Sequence, residues 1–256
     1  MRDIEWATGL DGTDTVLGTV RAGVLLRSGL RSHPGGESFW PAGSHSPREV
    51  ALTRRLFTHS LNRSVDDLRL IHQVHGTTVI RRASRATEEA VSGIPTADAQ
   101  FTADAGPVLI VNVADCCPVI LASRDPALVA IAHAGWRGAA HGVVEDLLLA
   151  STKAGASLAR VRCWVGPCAE ASRYEVGPET AAHFHSWPGA LLPHPSQPEK
   201  RLLNVRAVVV DQLLRAGVTA EHVTVSRGGT IGDRRYHSHR RSRGSAGRMA
   251  AFVTIG

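Results

Sequence analysis

Val108-Leu109-Ile110-Val111-Asn112-Val113, running into Ala114-Asp115-Cys116-Cys117-Pro118, is the stretch on which the reading of the fold turns. Its first six residues are a nearly unbroken, β-branched apolar run, too short for an ordinary helix, and they predict a buried strand. Pro118 to Ala122 predicts a second strand. Leu128 to His133 predicts a third, ending in His133-Ala134-Gly135-Trp136-Arg137-Gly138 ahead of a helix. Further strands are predicted over Thr15 to Leu26, Leu68 to Ile71, Thr77 to Arg81, Val161 to Val165, Val223 to Ser226 and Ala250 to Ile255. Apolar spacings of three and four predict helices over Pro47 to Leu61, Ala139 to Ala154 and Val205 to Ala216, with a short one over Pro178 to Phe184. Strands and helices mix without strict alternation, which points to a mixed α/β fold and away from a doubly wound sheet. The segments 32–47 and 185–200, rich in Pro, Gly and Ser, read as loops. Neither separates two complete apolar patterns, so one domain over residues 1–256 is expected.

The chain has 256 residues, of which 43% are apolar, enough for a sizeable core. No stretch approaches the roughly 20 apolar residues that span a bilayer, so no membrane partner is expected. Met1-Arg2-Asp3-Ile4-Glu5 lacks the basic-then-apolar pattern of an export signal, and a cytoplasmic location is the expectation. The net charge is +6, and since Lys153 and Lys200 are the only lysines it is almost wholly arginine. The guanidinium fork suits phosphate and carboxylate, although compositional bias accounts for such an excess equally well. Aromatic residues are 5% and form no stripe among the basic ones, so a nucleic-acid partner is not expected. Cys116, Cys117, Cys163 and Cys168 do not suggest a disulfide framework, because adjacent cysteines pair poorly and no export signal is present. Nothing in the sequence fixes the oligomeric state.

Chemistry concentrates at the ends of the predicted strands. Cys116 and His133 both fall at strand mouths, where loops build sites. His75 lies in the turn His72-Gln73-Val74-His75-Gly76 between two others. Two imidazoles and one thiolate suit zinc and leave a fourth tetrahedral position for a reactant. Asp115, beside the thiolate, is a candidate to take or deliver a proton. The competing readings are burial of Cys116 as a small hydrophobe and His72 in place of His75. Cys117, on the opposite face from Cys116, reads as buried. Arg137, just ahead of the helix from Ala139, marks a candidate phosphate site combining a cation with helix N–H groups. Trp136 either stacks on a flat base or packs in the core. The basic stretch from Arg234 to Arg248, with Arg240 at its centre, reads either as a mobile loop closing on an anion or as a solvated one.

The ordered set of Thr96-Ala97-Asp98-Ala99, Ala114-Asp115-Cys116-Cys117-Pro118-Val119 and Ala132-His133-Ala134-Gly135-Trp136-Arg137-Gly138 resembles the laccase-domain family, once called multicopper polyphenol oxidases. His72 to Gly76, Val165-Gly166-Pro167-Cys168, Tyr174-Glu175-Val176-Gly177, Ser238-His239-Arg240-Arg241 and Gly247-Arg248-Met249-Ala250 extend the match over about residues 27 to 253. The resemblance implies a four-layer α-β-β-α sandwich. It implies a single zinc on His75, Cys116 and His133, with copper as an alternative occupant. It also implies phosphorolysis of purine nucleosides by inorganic phosphate, with adenosine deamination and methylthioadenosine phosphorolysis as related activities. Asp115, Cys116 and Arg137 are then the catalytic candidates, and Arg27, Trp136 and Arg240 the substrate and phosphate contacts. Members are also described as peptidoglycan editing factors. Leu26 and Leu30 depart from the family's Thr and Gly near Arg27, Thr53 stands where Asn is usual, and Gly229 where Cys is usual.

Three other readings compete. A copper phenol oxidase needs many histidines, and only His183-Phe184-His185 and His237-Ser238-His239 have His-x-His spacing. Neither Met1 nor Met249 is well placed as an axial ligand. A hydrolase with Cys116 as nucleophile and His133 as base, acting on peptidoglycan, is chemically sufficient. A non-enzymatic partner of the wall or division machinery is the last.

Overall fold

The computed structural model describes residues 4–8, 19–27, 38–41, 46–84 and 93–256. One sheet has the order β1 (Ile4–Trp6), β2 (Val20–Leu25), β14 (Met249–Ile255), β6 (Val108–Val113) and β3 (Leu68–Arg69). A second has the order β13 (Val223–Val225), β9 (Arg162–Val165), β7 (Cys117–Ser123), β8 (Leu128–Ala134), β5 (Ala99–Thr102) and β4 (Val79–Arg81). A small antiparallel sheet joins β10 (Glu175–Val176), β12 (Arg201–Leu203) and β11 (Leu191–Pro193). Most pairs in the two large sheets are antiparallel, while β3–β6, β4–β5 and β9–β13 are parallel, so both sheets are mixed.

The two-residue period of a strand builds the layers. Leu109, Val111 and Val113 of β6 point into one apolar cluster with Ile120 of β7, Ile131 of β8 and Trp164 of β9, which closes the space between the large sheets. Val108 and Ile110 point the other way, onto Phe57 of helix α1 (Pro47–Ser60). On the far side of the second sheet, Val119 and Leu121 pack with Leu147 of α3 (Val143–Lys153) and Val208 of α4 (Val205–Arg215). The result is the four-layer α-β-β-α order, with every residue of β6, β7, β8 and β14 buried. No helix among the described residues is long and apolar enough to cross a membrane.

The helix expected over Ala139 to Ala154 is two helices. Gly142, at φ +89°, breaks it into α2 (Trp136–Ala140) and α3. The segment 185–200 is not all loop, because Leu191–Pro193 is the edge strand β11. The short strands β1, β5, β10 and β12 fall where no long β-branched run announces them. The strand expected from Thr15 begins at Val20, and residues 15–18 lie outside the described ones, as do Leu30 and most of 32–47. Helix α1 opens on a capping box: Ser46 Oγ accepts from the Glu49 N–H at 3.3 Å, and Glu49 Oε2 accepts from the Ser46 N–H at 2.6 Å. Thr53, one of the departures from the family pattern, is buried inside this helix and donates to the Glu49 carbonyl at 3.0 Å.

Phe57 is clamped edge-on between Phe39 at 5.3 Å and Phe252 at 5.0 Å. Phe57→Ala is expected to lower the unfolding free energy by about 3–5 kcal/mol and Ser46→Ala by about 1 kcal/mol. Urea unfolding followed by circular dichroism checks both; equal losses in the two variants contradict this account of the outer layer.

Candidate metal centre and substrate cavity

Asp98 sits just ahead of β5 and is fully buried. Its Oδ2 accepts from the backbone N–H groups of Val74 at 3.1 Å and Gly76 at 2.7 Å, and its Oδ1 from that of His75 at 3.0 Å. The same Oδ1 accepts from His133 Nδ1 at 2.9 Å. One carboxylate therefore folds the 74–76 turn and orients His133. With Nδ1–H committed to Asp98, the Nε2 lone pair of His133 is free for a metal. The turn holds His75 at φ +62°, a left-handed conformation uncommon for histidine.

His75 lies on the crossover from β3 of the first sheet to β4 of the second. Cys116 lies on the crossover from β6 to β7, which again joins the two sheets. His133 is on β8, on the face turned toward the first sheet. The ligand atoms of His75, Cys116 and His133 all lie within 4.8 Å of one another, with Cys116 Sγ 3.8 Å from His75 Nε2. Tetrahedral bonds of about 2.0–2.3 Å place neighbouring ligand atoms roughly 3.3–3.8 Å apart, so the group fits one ion with little movement. Gly135 makes room for it: a Cβ there would stand 2.7 Å from His75 Cδ2 and 3.0 Å from Cys116 Sγ. His72 borders the same cavity but lies outside the three-residue group.

Electrostatics favours a thiolate. Burial pushes the Cys116 thiol up, but His133 and His75 more than reverse this and bring its pKa to about 6. Burial pushes His133 down, and Cys116 and Asp98 reverse it to about 9. Without metal the pair is an imidazolium facing a thiolate, and a bound ion takes the place of the His133 proton. Asp98 is opposed by its burial yet held below the ordinary aspartate value by His133 and the turn amides. Cys117 is buried, as expected, with Cys168 beside it in the apolar cluster below the second sheet.

The three ligands border a cavity of about 630 Å³. Arg137, Arg240 and Arg248 line it together with Trp136 and Tyr174. The Arg137 guanidinium lies 4.2 Å over the Trp136 ring, and that of Arg240 lies 4.9 Å from Tyr174. Trp136 is half-buried and packs against the apolar cluster, as one of the two sequence readings had it, and its cavity-lining ring carries the Arg137 guanidinium. The helix that follows Gly135 is a single turn, so the positive charge here is that of the arginine itself. Arg27 is exposed and is not among the residues lining the cavity; its backbone N–H donates to the Arg235 carbonyl at 2.9 Å.

Asp115 lines the cavity, and both its oxygens are engaged. Oδ1 accepts from Thr230 at 2.6 Å, and Oδ2 from Ser238 at 3.0 Å and from the Arg240 backbone at 2.7 Å. These bonds tie the C-terminal basic segment, which the sequence read either as a mobile loop closing on an anion or as a solvated one, to the cavity wall. Arg241 reinforces this by donating to the carbonyls of Thr230, Ile231, Asp233 and Tyr236. A Cβ at Gly229 would approach Glu170 Oε2 to 2.7 Å, so the family's usual Cys at this position would have to displace the Glu170 side chain, whose Oε2 accepts from the Ile231 N–H at 3.0 Å. Asp98 and Arg248 fall within matched motifs but carried no role in the sequence reading; Trp40 and Asn112, also on the cavity wall, gave no signal.

A mixed α/β sandwich with a His–Cys–His group at the rim between its sheets defines a class of candidate metal proteins. The chain belongs to the multi-copper polyphenol oxidoreductase laccase family, whose sequence profile it matches over residues 34–256. A relative from Xylella fastidiosa strain Temecula1, named purine nucleoside phosphorylase, is 38% identical over 191 residues, 73% of this chain and 71% of that protein. One from Pseudomonas aeruginosa with the same name is 34% identical over 92% of this chain and 93% of its own. The crystal structure of YlmD from Geobacillus stearothermophilus superposes with a TM-score of 0.81 at 27% identity, covering 98% of this chain and 96% of that one.

One equivalent of a divalent ion is expected per chain, with Cys116→Ala and His133→Ala abolishing binding. Asp98→Asn should weaken it about 10- to 100-fold. Competition against a chromogenic chelator measures this; an Asp98→Asn protein of unchanged affinity would contradict the orienting role of Asp98.

Proposed function

We propose that this chain is a zinc-dependent purine nucleoside phosphorylase, a single cytoplasmic domain over residues 1–256. Adenosine deamination and methylthioadenosine phosphorolysis are related activities on the same class of substrate. The observation that carries the reading is the convergence of His75, Cys116 and His133 within 4.8 Å on a cavity walled by arginines stacked on aromatic rings. The names of the relatives point the same way.

A thiolate with two imidazoles is a donor set that suits zinc. The ion supplies, when bound, a fixed positive charge and a Lewis acid at the cavity wall. Arg137 and Arg240 bind inorganic phosphate through their guanidinium groups. Asp115, by holding the Arg240 backbone, keeps that arginine at the phosphate. Trp136 and Tyr174 back these two guanidinium groups with flat faces and exclude water from the phosphate. A phosphate oxygen then attacks the ribose C1′. The C1′–N9 bond breaks with its electron pair going to the base, which takes up a proton and leaves ribose 1-phosphate behind. In deamination, water adds at the purine C6 and ammonia leaves.

One observation favours a second reading. The metal-free pairing of a low-pKa Cys116 with a raised His133 is what a cysteine hydrolase uses. A copper phenol oxidase has less support, because among the described residues His75, Cys116 and His133 are the only such group. His183 lies instead beside Trp136 and His141. Copper found after purification would not revive it, since copper outcompetes zinc at most nitrogen and sulfur sites.

Incubation with adenosine, inosine and methylthioadenosine, with and without phosphate, separates these readings. Phosphate-dependent release of free base, lost in chelator, is the expected result. Formation of inosine from adenosine without phosphate identifies deamination. Activity that survives chelator and dies on alkylation of Cys116 would instead establish the hydrolase.

A further inference from the structure

Asn112 is the next-to-last residue of β6, 9% exposed and on the cavity wall. Its backbone N–H and C=O are both satisfied by one side chain. In the ladder it stands opposite Ala250 of β14. On its other flank the Gln73 side chain zips onto its main chain, with Gln73 Oε1 accepting from Asn112 N–H at 2.7 Å and Gln73 Nε2 donating to the Asn112 carbonyl at 2.9 Å. The Asn112 side chain is different: its Oδ1 is buried and has no hydrogen-bond partner among the described residues. Gln100 and Gln212 also keep an unpaired Oε1, but both lie away from the cavity. Among the described residues Asn112 alone joins an unpaired buried amide oxygen to the substrate space. Such an oxygen is costly to bury without a donor, and buried polar groups are nearly always paired. A ligand that brings an N–H removes that cost.

The position narrows what the ligand is. Asn112 is bonded to Gln73 and faces β14 just past Arg248, whose carbonyl is bonded by the Phe39 N–H next to Trp40, so these residues share one side of the cavity, while Arg137 and Arg240 lie at the side of Trp136 and Tyr174. Phosphate at the latter side and ribose near the metal ligands put the base at the former. Resting on the nucleoside phosphorylase reading above, we propose that Asn112 reads the base. Its untethered amide pairs with the C6 edge of the purine, one way round for a 6-amino and turned over for a 6-oxo ring. A 6-aminopurine offers an exocyclic N–H beside a ring nitrogen acceptor. A 6-oxopurine offers N1–H beside the O6 acceptor. An amide has one donor end and one acceptor end, so it matches each pattern in one of its two orientations. A side chain tied to its neighbours could match only one. The arrangement therefore accepts both purine types and disfavours a ring with nothing at C6.

The test compares phosphorolysis of adenosine, inosine and purine riboside, which has hydrogen at C6. The proteins are the wild type, Asn112→Ala and the nearly isosteric Asn112→Leu. Both variants are expected to lose roughly tenfold or more in kcat/KM for adenosine and inosine, in line with a bidentate amide–base pair. Purine riboside and the KM for phosphate should stay within about twofold. The Leu variant keeps the volume, so the same selective loss in both separates base reading from a packing defect. Equal losses on all three nucleosides, or none, overturn the proposal while leaving the phosphorylase reading intact. A wild-type protein that turns over none of them overturns both.

Discussion

The candidate site depends on one buried carboxylate. Asp98 gathers three successive backbone N–H groups of the 74–76 turn and the ring of His133, two segments separated by more than fifty residues. A carboxylate without exposure survives only if its lone pairs are filled, and here the groups that fill them are those that aim two of the three ligands. Removing its charge would release the turn and the imidazole together. Its role is geometric, and the chemistry is left to the groups that it points.

A second fixed point is Asp115. Its oxygens hold Thr230, Ser238 and the Arg240 backbone, so the wall opposite the ligands is tied to the residue next to Cys116. The cavity is built as a frame in which the His–Cys–His group and the arginine-bearing wall share their supports. Arginine dominates the charge of the chain, but its members do different work. Arg241 is spent on four carbonyls, Arg235 on Asp233, and Arg137 and Arg240 face the cavity over aromatic rings.

Much of this was legible in the residues themselves. The runs Val108 to Val113, Pro118 to Ala122 and Leu128 to His133 were readable because strands buried on both faces are continuously apolar. The short strands were not, since Ala99–Thr102 alternates Ala, Gln, Phe and Thr and owes its pairing to β8, and Leu191–Pro193 sits in a proline-rich stretch that mimics a loop. The split between α2 and α3 hung on the sign of one dihedral angle at Gly142, which apolar spacing does not reveal. Residue chemistry brought His75, Cys116 and His133 forward but left His72 as a rival; the family motifs removed it. Asn112 was hidden for a plainer reason. Inside an apolar run it looks like one polar residue tolerated at a strand end, and only three-dimensional placement shows that its buried amide oxygen has no partner among the described residues.

Two of the three ligands ride on crossovers between the large sheets, and the third projects from a strand of one of them toward the other. An ion bound there is a rivet through the sandwich at the level of its chain crossings. Assembly of the layers and capture of the ion are then one coupled equilibrium. Scarcity of the ion in the cell would thin out the folded population as well as silence the site, making abundance itself a gauge of supply.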